Sequence, residues 1–335
     1  MHHLTYAEAI IVGLVQGVTE LFPVSSLGHN VLIPALVGGS WSKDLNVAAN
    51  ESPYLAFIVG LHVATAIALT VYFWRDWVRI IRGFFSSLRR LEIETPDQKL
   101  AWMIIIATIP VGLTGVVLEH WFRTFFGVAS RAAIFLVVNG LILYAAERFR
   151  PRKSREADNQ ILAERAKQPE PELVGAGAGT VARAQHASGQ RALRQEELAT
   201  AVQSDRRISA YGFGEALIIG SAQVLALLAG ISRDGVAMSA GMFRGLSRED
   251  AARFGFLLAT PVILAAGVLK VGDLFGHLGS GIRPQILAGS IVSGLGAYLS
   301  VRFLMKYFRT RTLTPFAIYC LVAGLGSLIY LELIK

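Results

Sequence analysis

The chain has 335 residues, 53% of them hydrophobic and 17% charged, with a formal net charge of +8 and a mean hydropathy of +0.49. That balance excludes an ordinary soluble domain and indicates an integral membrane protein. Nucleic acid is not expected as a partner, because the Lys and Arg residues flank apolar runs, where the positive-inside rule places them in the cytoplasm.

Apolar runs of about 18 or more residues, the helix length that crosses a roughly 30 Å hydrocarbon layer, occupy 53–74, 100–118, 130–147, 251–271, 285–304 and 314–334. The lone Cys320 falls in the last run, which excludes an intrachain disulfide and suits a small buried residue. The start Met1-His-His-Leu-Thr5 lacks the basic region of a cleavable signal peptide, so the spans themselves are expected to direct insertion.

In chain order, Thr5 followed by Glu8 has the form of a capping box and predicts a helix from Tyr6. Pro23 interrupts it, and apolarity resumes at Val31 to Val37. Two short apolar pieces around a Pro/Gly break predict a re-entrant hairpin over 6–37, which a membrane tolerates where the broken backbone is buried in protein or lines a cavity. Residues 38–52 read as a polar loop, and Ser52-Pro53 as the cap and first residue of the first span. Trp74 and Trp77 fit interface depth, and Arg75, Arg79, Arg82, Arg89 and Arg90 make the following loop cytoplasmic. Thr95-Pro-Asp-Gln98 caps the second span, and a turn over 119–129 leads to the third.

Residues 151–207 change to Ala, Glu, Gln, Arg and Pro with hardly an aromatic residue, which predicts a cytoplasmic linker, disordered or loosely helical, in which His186 is merely solvated. Beyond it the chain repeats itself. Glu8 to Gln16 aligns without gaps on Glu215 to Gln223, and the same register puts Pro23 on Gly230, Ser25 on Ser232, Ser26 on Arg233 and Gly28 on Gly235. The expected fold is an all-α polytopic membrane protein, with six spanning helices and two re-entrant helical hairpins in an inverted-topology repeat. Residues 1–150 form the first repeat, and residues 208–335, with a hairpin over 209–245, form the second. Three spans per half invert the second repeat, and the basic loops 75–99, 148–207 and 302–311 then all face the cytoplasm. The hairpin tips should meet near the middle of the bilayer.

Polar groups at membrane depth mark function, and they concentrate in Gln16-Gly-Val-Thr-Glu20-Leu-Phe-Pro-Val-Ser25-Ser26-Leu-Gly28-His29 and in Ala229-Gly-Ile-Ser232-Arg233-Asp234-Gly235. Gln16 and Glu20, one helical turn apart, can hold a divalent cation or a water, or can serve as hydrogen-bonding glue between helices. Ser26 and His29 have the spacing of a hydroxyl and its base if the segment turns helically. Arg233 in a glycine-flanked loop suits phosphate, bound by its fork and by loop amides; the alternative is an internal pair with Asp234 or Glu20. His62 reads as hydrogen-bonded between helices. Glu119, His120 and Asp273 read as span-end residues, Arg244, Arg248 and Arg253 as a cytoplasmic rim, and Ser247 with Asp250 as a helix cap. Together the two stretches indicate a site for a phosphate-bearing lipid.

These residues resemble the signature segments of the undecaprenyl-diphosphate phosphatases, the bacitracin-resistance membrane family, in which an (E/Q)xxxE segment leads into PVSSxGH and a later PGxSRSGxT segment closes the site. The first segment matches almost completely. The second departs at Ala229 for Pro, Asp234 for Ser and Ala237 for Thr. The resemblance extends over Leu246 to Phe254 and Leu258 to Ile263 and leaves out the linker. It implies hydrolysis of undecaprenyl diphosphate to the monophosphate carrier, with a divalent cation (Mg2+ or Ca2+) as cofactor. It also implies a bacterial cytoplasmic membrane location and a site open to the extracytoplasmic side. Carried over by position, Glu20, Ser26, His29 and Arg233 are catalytic, and Ser25, Gly28, Gly230, Ser232 and Gly235 bind substrate. Glu20 and Gln16 take the cation, with Asp234 as a further candidate. On this reading Ser26 attacks phosphorus or orients the attacking water, His29 is its base, and a homodimer is an assembly to test. A transporter or flippase for a polyprenyl phosphate is the alternative, motivated by the inverted repeat.

Overall fold

The computed structural model describes residues 4–45, 53–126, 128–167, 195, 198–276 and 281–334, all helix, turn or irregular chain, with no strand among them. The expected Ser52 cap and His186 lie outside the described residues, as do the side chains of Glu119, His120 and Asp273.

Helix α1 (Tyr6–Thr19) begins with the expected capping box: the Glu8 carboxylate accepts from Thr5 N and Oγ1, both at 2.8 Å, and Thr5 Oγ1 accepts from Glu8 N. After the turn at Pro23, α2 (Ser26–Val37) begins at Ser25 and ends at Gly38, whose φ of 73° suits only glycine comfortably. A short α3 (Gly39–Asp44) follows. The spans are α4 (Pro53–Tyr72), α6 (Pro96–Phe126), α7 (Ala129–Phe149), α12 (Arg248–Phe275), α13 (Arg283–Tyr307) and α14 (Thr314–Ile329), the last continued by a π turn over Tyr330–Ile334. All six have the length and hydropathy to cross a membrane, and α1 and α2 are too short. Multi-pass membrane insertion follows.

Helix α5 (Trp74–Arg90) differs from these. Asp76, Ile80, Gly83 and Ser87 are buried, Trp74, Val78, Ile81, Phe85 and Leu88 form an exposed apolar ridge, and arginines cover the rest. That pattern is of a helix lying in the membrane interface.

Packing between the halves is reciprocal. Helix α1 lies on α13, the second span of the far half, while α10 (Phe213–Ala222) lies on α6, the second span of the near half; α4 packs on α12 and α7 on α14. Close approach is set by small residues, as is usual between membrane helices. A Cβ on Gly13 would come 2.5 Å from Gly289 O, on Gly17 2.3 Å from Ser293 O, and on Gly220, the repeat counterpart of Gly13, 2.1 Å from Ala107 O. Because these neighbours are backbone, they cannot step aside. Gly17→Ala is therefore expected to destabilise by at least the ~1–3 kcal/mol typical of overpacking. Thermal unfolding in detergent should fall by several degrees, and an unchanged transition would show that α1 and α13 separate freely.

Both described ends of the linker are helical and docked on the membrane portion. Residues 152–166 form α8 (Arg152–Ala166), and 198–209 form α9 (Leu198–Ser209). Ser154 Oγ donates to Leu246 O at 2.6 Å, Arg165 grips Glu249 at 2.7 Å, and Arg207 takes both Asp250 oxygens at 2.8 Å. Asp205 binds Arg79 at 2.5 Å and Arg253 at 2.7 Å. Arg253 is thus buried at 3% exposure rather than on the rim, and Arg248 holds Glu147 and Asp158. A composition poor in apolar residues cannot build its own core, but its charges can dock on complementary charges of a neighbour. Ser247 caps α12 as expected, accepting from Asp250 N at 3.0 Å.

Candidate active site

The two polar stretches meet at their breaks. Ser25 has φ 69°, a conformation residues other than glycine rarely adopt, and its hydroxyl accepts from Gly28 N and from Gly230 N, each at 3.2 Å. Gly28 has no room for a side chain, since a Cβ would lie 2.9 Å from Gly230 Cα. Gly230, at φ 111°, turns the second stretch into α11 (Arg233–Phe243), which Ser232 caps by accepting from Gly235 N at 3.2 Å. Asn139 of α7 fastens both stretches, donating to Pro23 O and accepting from Ser232 N, each at 2.9 Å. Ser25, Gly28, Gly230, Ser232 and Gly235, expected as substrate donors, are thus already joined to one another and to Asn139. They build the joint. The first-turn amides of Arg233 and Asp234 are the ones that helix geometry leaves without an intrahelical acceptor.

Glu20 is the centre of this joint. It closes α1, is 5% exposed, and offers Oε2 to the Ser26 hydroxyl and to Gln16 Nε2 at 2.8 Å, while Arg233 Nη2 holds Oε1. His62 of α4 adds Nε2 at 3.4 Å from Oε2, its Nδ1 donating to Ile58 O at 2.9 Å. Gln16 Oε1 accepts from Asn30 Nδ2 at 2.6 Å, and its Nε2 orients Glu20. The pairing of Arg233 with Glu20, one of the alternatives open in the sequence, is what brings the stretches together.

His29, expected as the base for Ser26, has other partners here. It sits one turn after Ser26, yet its Nδ1 donates to Ser25 O and its Nε2 accepts from Tyr319 OH, both at 2.7 Å, with the rings stacked. The Ser26 hydroxyl goes to Glu20 instead, because α2 starts at Ser26 and its first turn aims that side chain back at α1. Asp234 is 1% exposed, and neither of its carboxylate oxygens has a hydrogen-bond partner among the described residues; the same holds for Arg233 Nε and for both amide atoms of Gln223.

Asn30, His62, Asn139 and Tyr319 all enter this network and were missed or assigned a bland part. Asn139 and His62 carried a signal, since each is a polar residue inside a span. For Tyr319 there was none, because only tertiary packing brings α14 to α2.

The chain matches the family described as bacitracin resistance protein BacA over residues 9–167 and 176–326. It is 57% identical to the undecaprenyl-diphosphatase of Mycolicibacterium paratuberculosis, over 99% of both chains. It is 54% identical to undecaprenyl-diphosphatase 2 of Frankia alni, over 97% of both chains, and 36% identical to undecaprenyl-diphosphatase 2 of Chromobacterium violaceum, over 96% of this chain and 98% of that one. With a family match across most of its length and relatives this similar end to end, the chain belongs to the bacitracin resistance protein BacA family.

Proposed function

We propose that this protein is an integral membrane phosphatase that hydrolyses undecaprenyl diphosphate to undecaprenyl phosphate and inorganic phosphate, which recycles the cell-wall lipid carrier and confers bacitracin resistance. The relatives named undecaprenyl-diphosphatase support the substrate. One observation carries the chemistry: a buried carboxylate, Glu20, holds a hydroxyl on one oxygen and a guanidinium on the other. A serine hydroxyl donating to a carboxylate has its proton acceptor in place. The Arg233 guanidinium beside it can meet the phosphate whose charge develops in the transition state.

In the proposed reaction Glu20 takes the Ser26 proton as the Ser26 oxygen bonds to the terminal phosphorus. The bond from that phosphorus to the bridging oxygen breaks, and undecaprenyl phosphate departs. Water then releases inorganic phosphate from Ser26. In the variant route the Ser26 hydroxyl orients a water that attacks directly. Arg233 Nε, buried without a partner among the described residues, and the first-turn amides of α11 are donors suited to phosphate oxygens. His29, held by Ser25 and Tyr319, fixes the pitch of α2 and with it the aim of Ser26.

A divalent cation fits these residues. His62 Nε2 lies 3.4 Å from a Glu20 carboxylate oxygen, and its Nδ1 donates to Ile58 O. Asp234 adds a second carboxyl group that interacts with both Glu20 and Arg233. Among the described residues no three His, Cys, Asp or Glu gather as a metal centre. Mg2+ is commonly held by one or two carboxylates completed by substrate phosphates. Glu20, with Asp234 as the second carboxyl group, would hold it, and when bound it would neutralise phosphate charge.

The reading includes two re-entrant hairpins in an inverted repeat. It is supported by the reciprocal packing of α1 on α13 and α10 on α6. It also includes the cytoplasmic membrane, a site open to the extracytoplasmic side, and a homodimer, to be tested by cross-linking in native membranes.

The deciding assay is phosphate release from undecaprenyl or farnesyl diphosphate by the purified chain with Mg2+ or Ca2+. Release that needs the cation is expected. Absence of release under either cation, with lipid still bound, would make the chain a lipid carrier instead. Ser26→Ala is expected to lower kcat by roughly 10³-fold or more if Ser26 is the nucleophile, and by about 10–10²-fold if it only orients water. A phosphorylated Ser26 trapped by acid quench separates the two routes.

A further inference from the structure

A second polar cavity, of about 550 Å³, opens where α4 breaks into α5 and is closed by α9, α12 and α13. It touches neither Glu20 nor Arg233 and plays no part in the chemistry above. Its acids are already engaged: Asp76 by Arg79 and Arg253, and Glu249 by Arg165. Arg75 and Arg302, both exposed, have no carboxylate partner among the described residues, and the Arg75 guanidinium lies 5.4 Å over the Trp74 ring. Arg309 Nε lies 3.7 Å from the same Glu249 carboxylate and is neutralised by it. The cavity therefore presents two cationic side chains, Arg75 and Arg302, that no carboxylate among the described residues neutralises.

Its depth is set by α5, which starts at the cavity and whose exposed Val78, Ile81, Phe85 and Leu88 mark the plane of the headgroup and acyl boundary. Tyr298 and Trp74 stand at the same rim, as aromatic residues at an interface do. Within a turn of them Val71, Leu295 and Leu299 are exposed apolar residues facing the hydrocarbon. An occupant must then carry an anionic head at the arginines and an acyl body along α4 and α13.

We propose that this cavity binds the phosphate headgroup of an anionic membrane lipid, with Arg75 and Arg302 on the phosphate and Trp74 and Tyr298 against its glycerol end. Basic pockets between spans at headgroup level have the chemistry for such heads. This proposal goes beyond the phosphatase reading and stands or falls without it.

The test uses the full chain in a neutral detergent, titrated with phosphatidylglycerol or phosphatidylcholine, with bound lipid counted by native mass spectrometry. Wild type is expected to prefer phosphatidylglycerol by tenfold or more. With about one kcal/mol for each arginine at a lipid headgroup, Arg75→Gln with Arg302→Gln should weaken it by roughly 30-fold, whereas Arg75→Lys with Arg302→Lys keeps most of the binding. Arg82→Gln with Arg89→Gln, on α5 outside the cavity, should change it by less than about threefold. Phosphate release by the glutamine pair should stay at the wild-type level, which reports folding. Equal retention of both lipids by wild type would overturn the proposal. So would an equal loss in the Arg82 and Arg89 control, or displacement by inorganic phosphate at the same concentration, which would mark a free-anion site.

Discussion

Glu20→Gln is expected to lower kcat for phosphate release by about 10³-fold or more, within the range for removing a general base. The amide keeps the shape and can still accept from Ser26 or Gln16, but it cannot take a proton. The same change strips Arg233 of its counter-charge in a buried joint, an effect of about 3–5 kcal/mol when one partner of a buried pair is removed, so the unfolding temperature should fall as well. Glu20→Asp separates the two consequences: it keeps the charge for Arg233, shortens the reach to Ser26, and should restore stability more than activity. Activity of Glu20→Gln within tenfold of wild type would remove Glu20 from the proton transfer. Loss of the cation requirement in a variant with residual turnover would place the cation on this carboxylate.

Arg233→Lys should leave the protein folded and nearly inactive. An ammonium can still neutralise Glu20, but as a point charge it offers no planar fork to span a carboxylate and a phosphate at once. We expect a drop of about 10²–10³-fold in kcat/KM, the scale of losing one oxyanion-type donor, with unfolding within a few degrees of wild type. Arg233→Ala should cost both, because it leaves Glu20 buried with no cation. Steady-state kinetics beside thermal unfolding distinguish these cases, and wild-type kcat/KM in the lysine variant would show that the fork is not used on phosphate.

Much of this was legible in residue order. Hydropathy located six spans, because crossing hydrocarbon imposes a length that composition alone reveals. The apolar part of each helix matches them within a few residues at each end, although α6 itself runs on to Phe126 through most of the turn expected over 119–129. The capping pairs Thr5 with Glu8 and Ser247 with Asp250 were readable because a cap is a contact over three residues. The gapless register of Glu8 to Gln16 on Glu215 to Gln223 singled out both breaks, and the rarity of Glu20 and Arg233 at membrane depth marked them as the chemistry.

The partners of those residues lay beyond it. Spacing put Ser26 and His29 together, but a helix start fixes direction as well as distance, and the first turn of α2 sends Ser26 to Glu20 while α14 brings Tyr319 to His29. The loop amides looked free because sequence shows donors and not what already accepts from them; Ser25, Ser232 and Asn139 accept from these. The ends of 151–207 looked solvated because their partners Glu249, Asp250 and Arg253 are 43 to 84 residues away. Local signals such as caps, hydropathy and repeat register follow from neighbouring residues and so are written in the chain. The hydrogen-bond and ion-pair partners across Gly13, Gly17, Gly28 and Gly220 depend on backbones meeting at distances a single Cβ would forbid, and those distances exist only once the helices have packed.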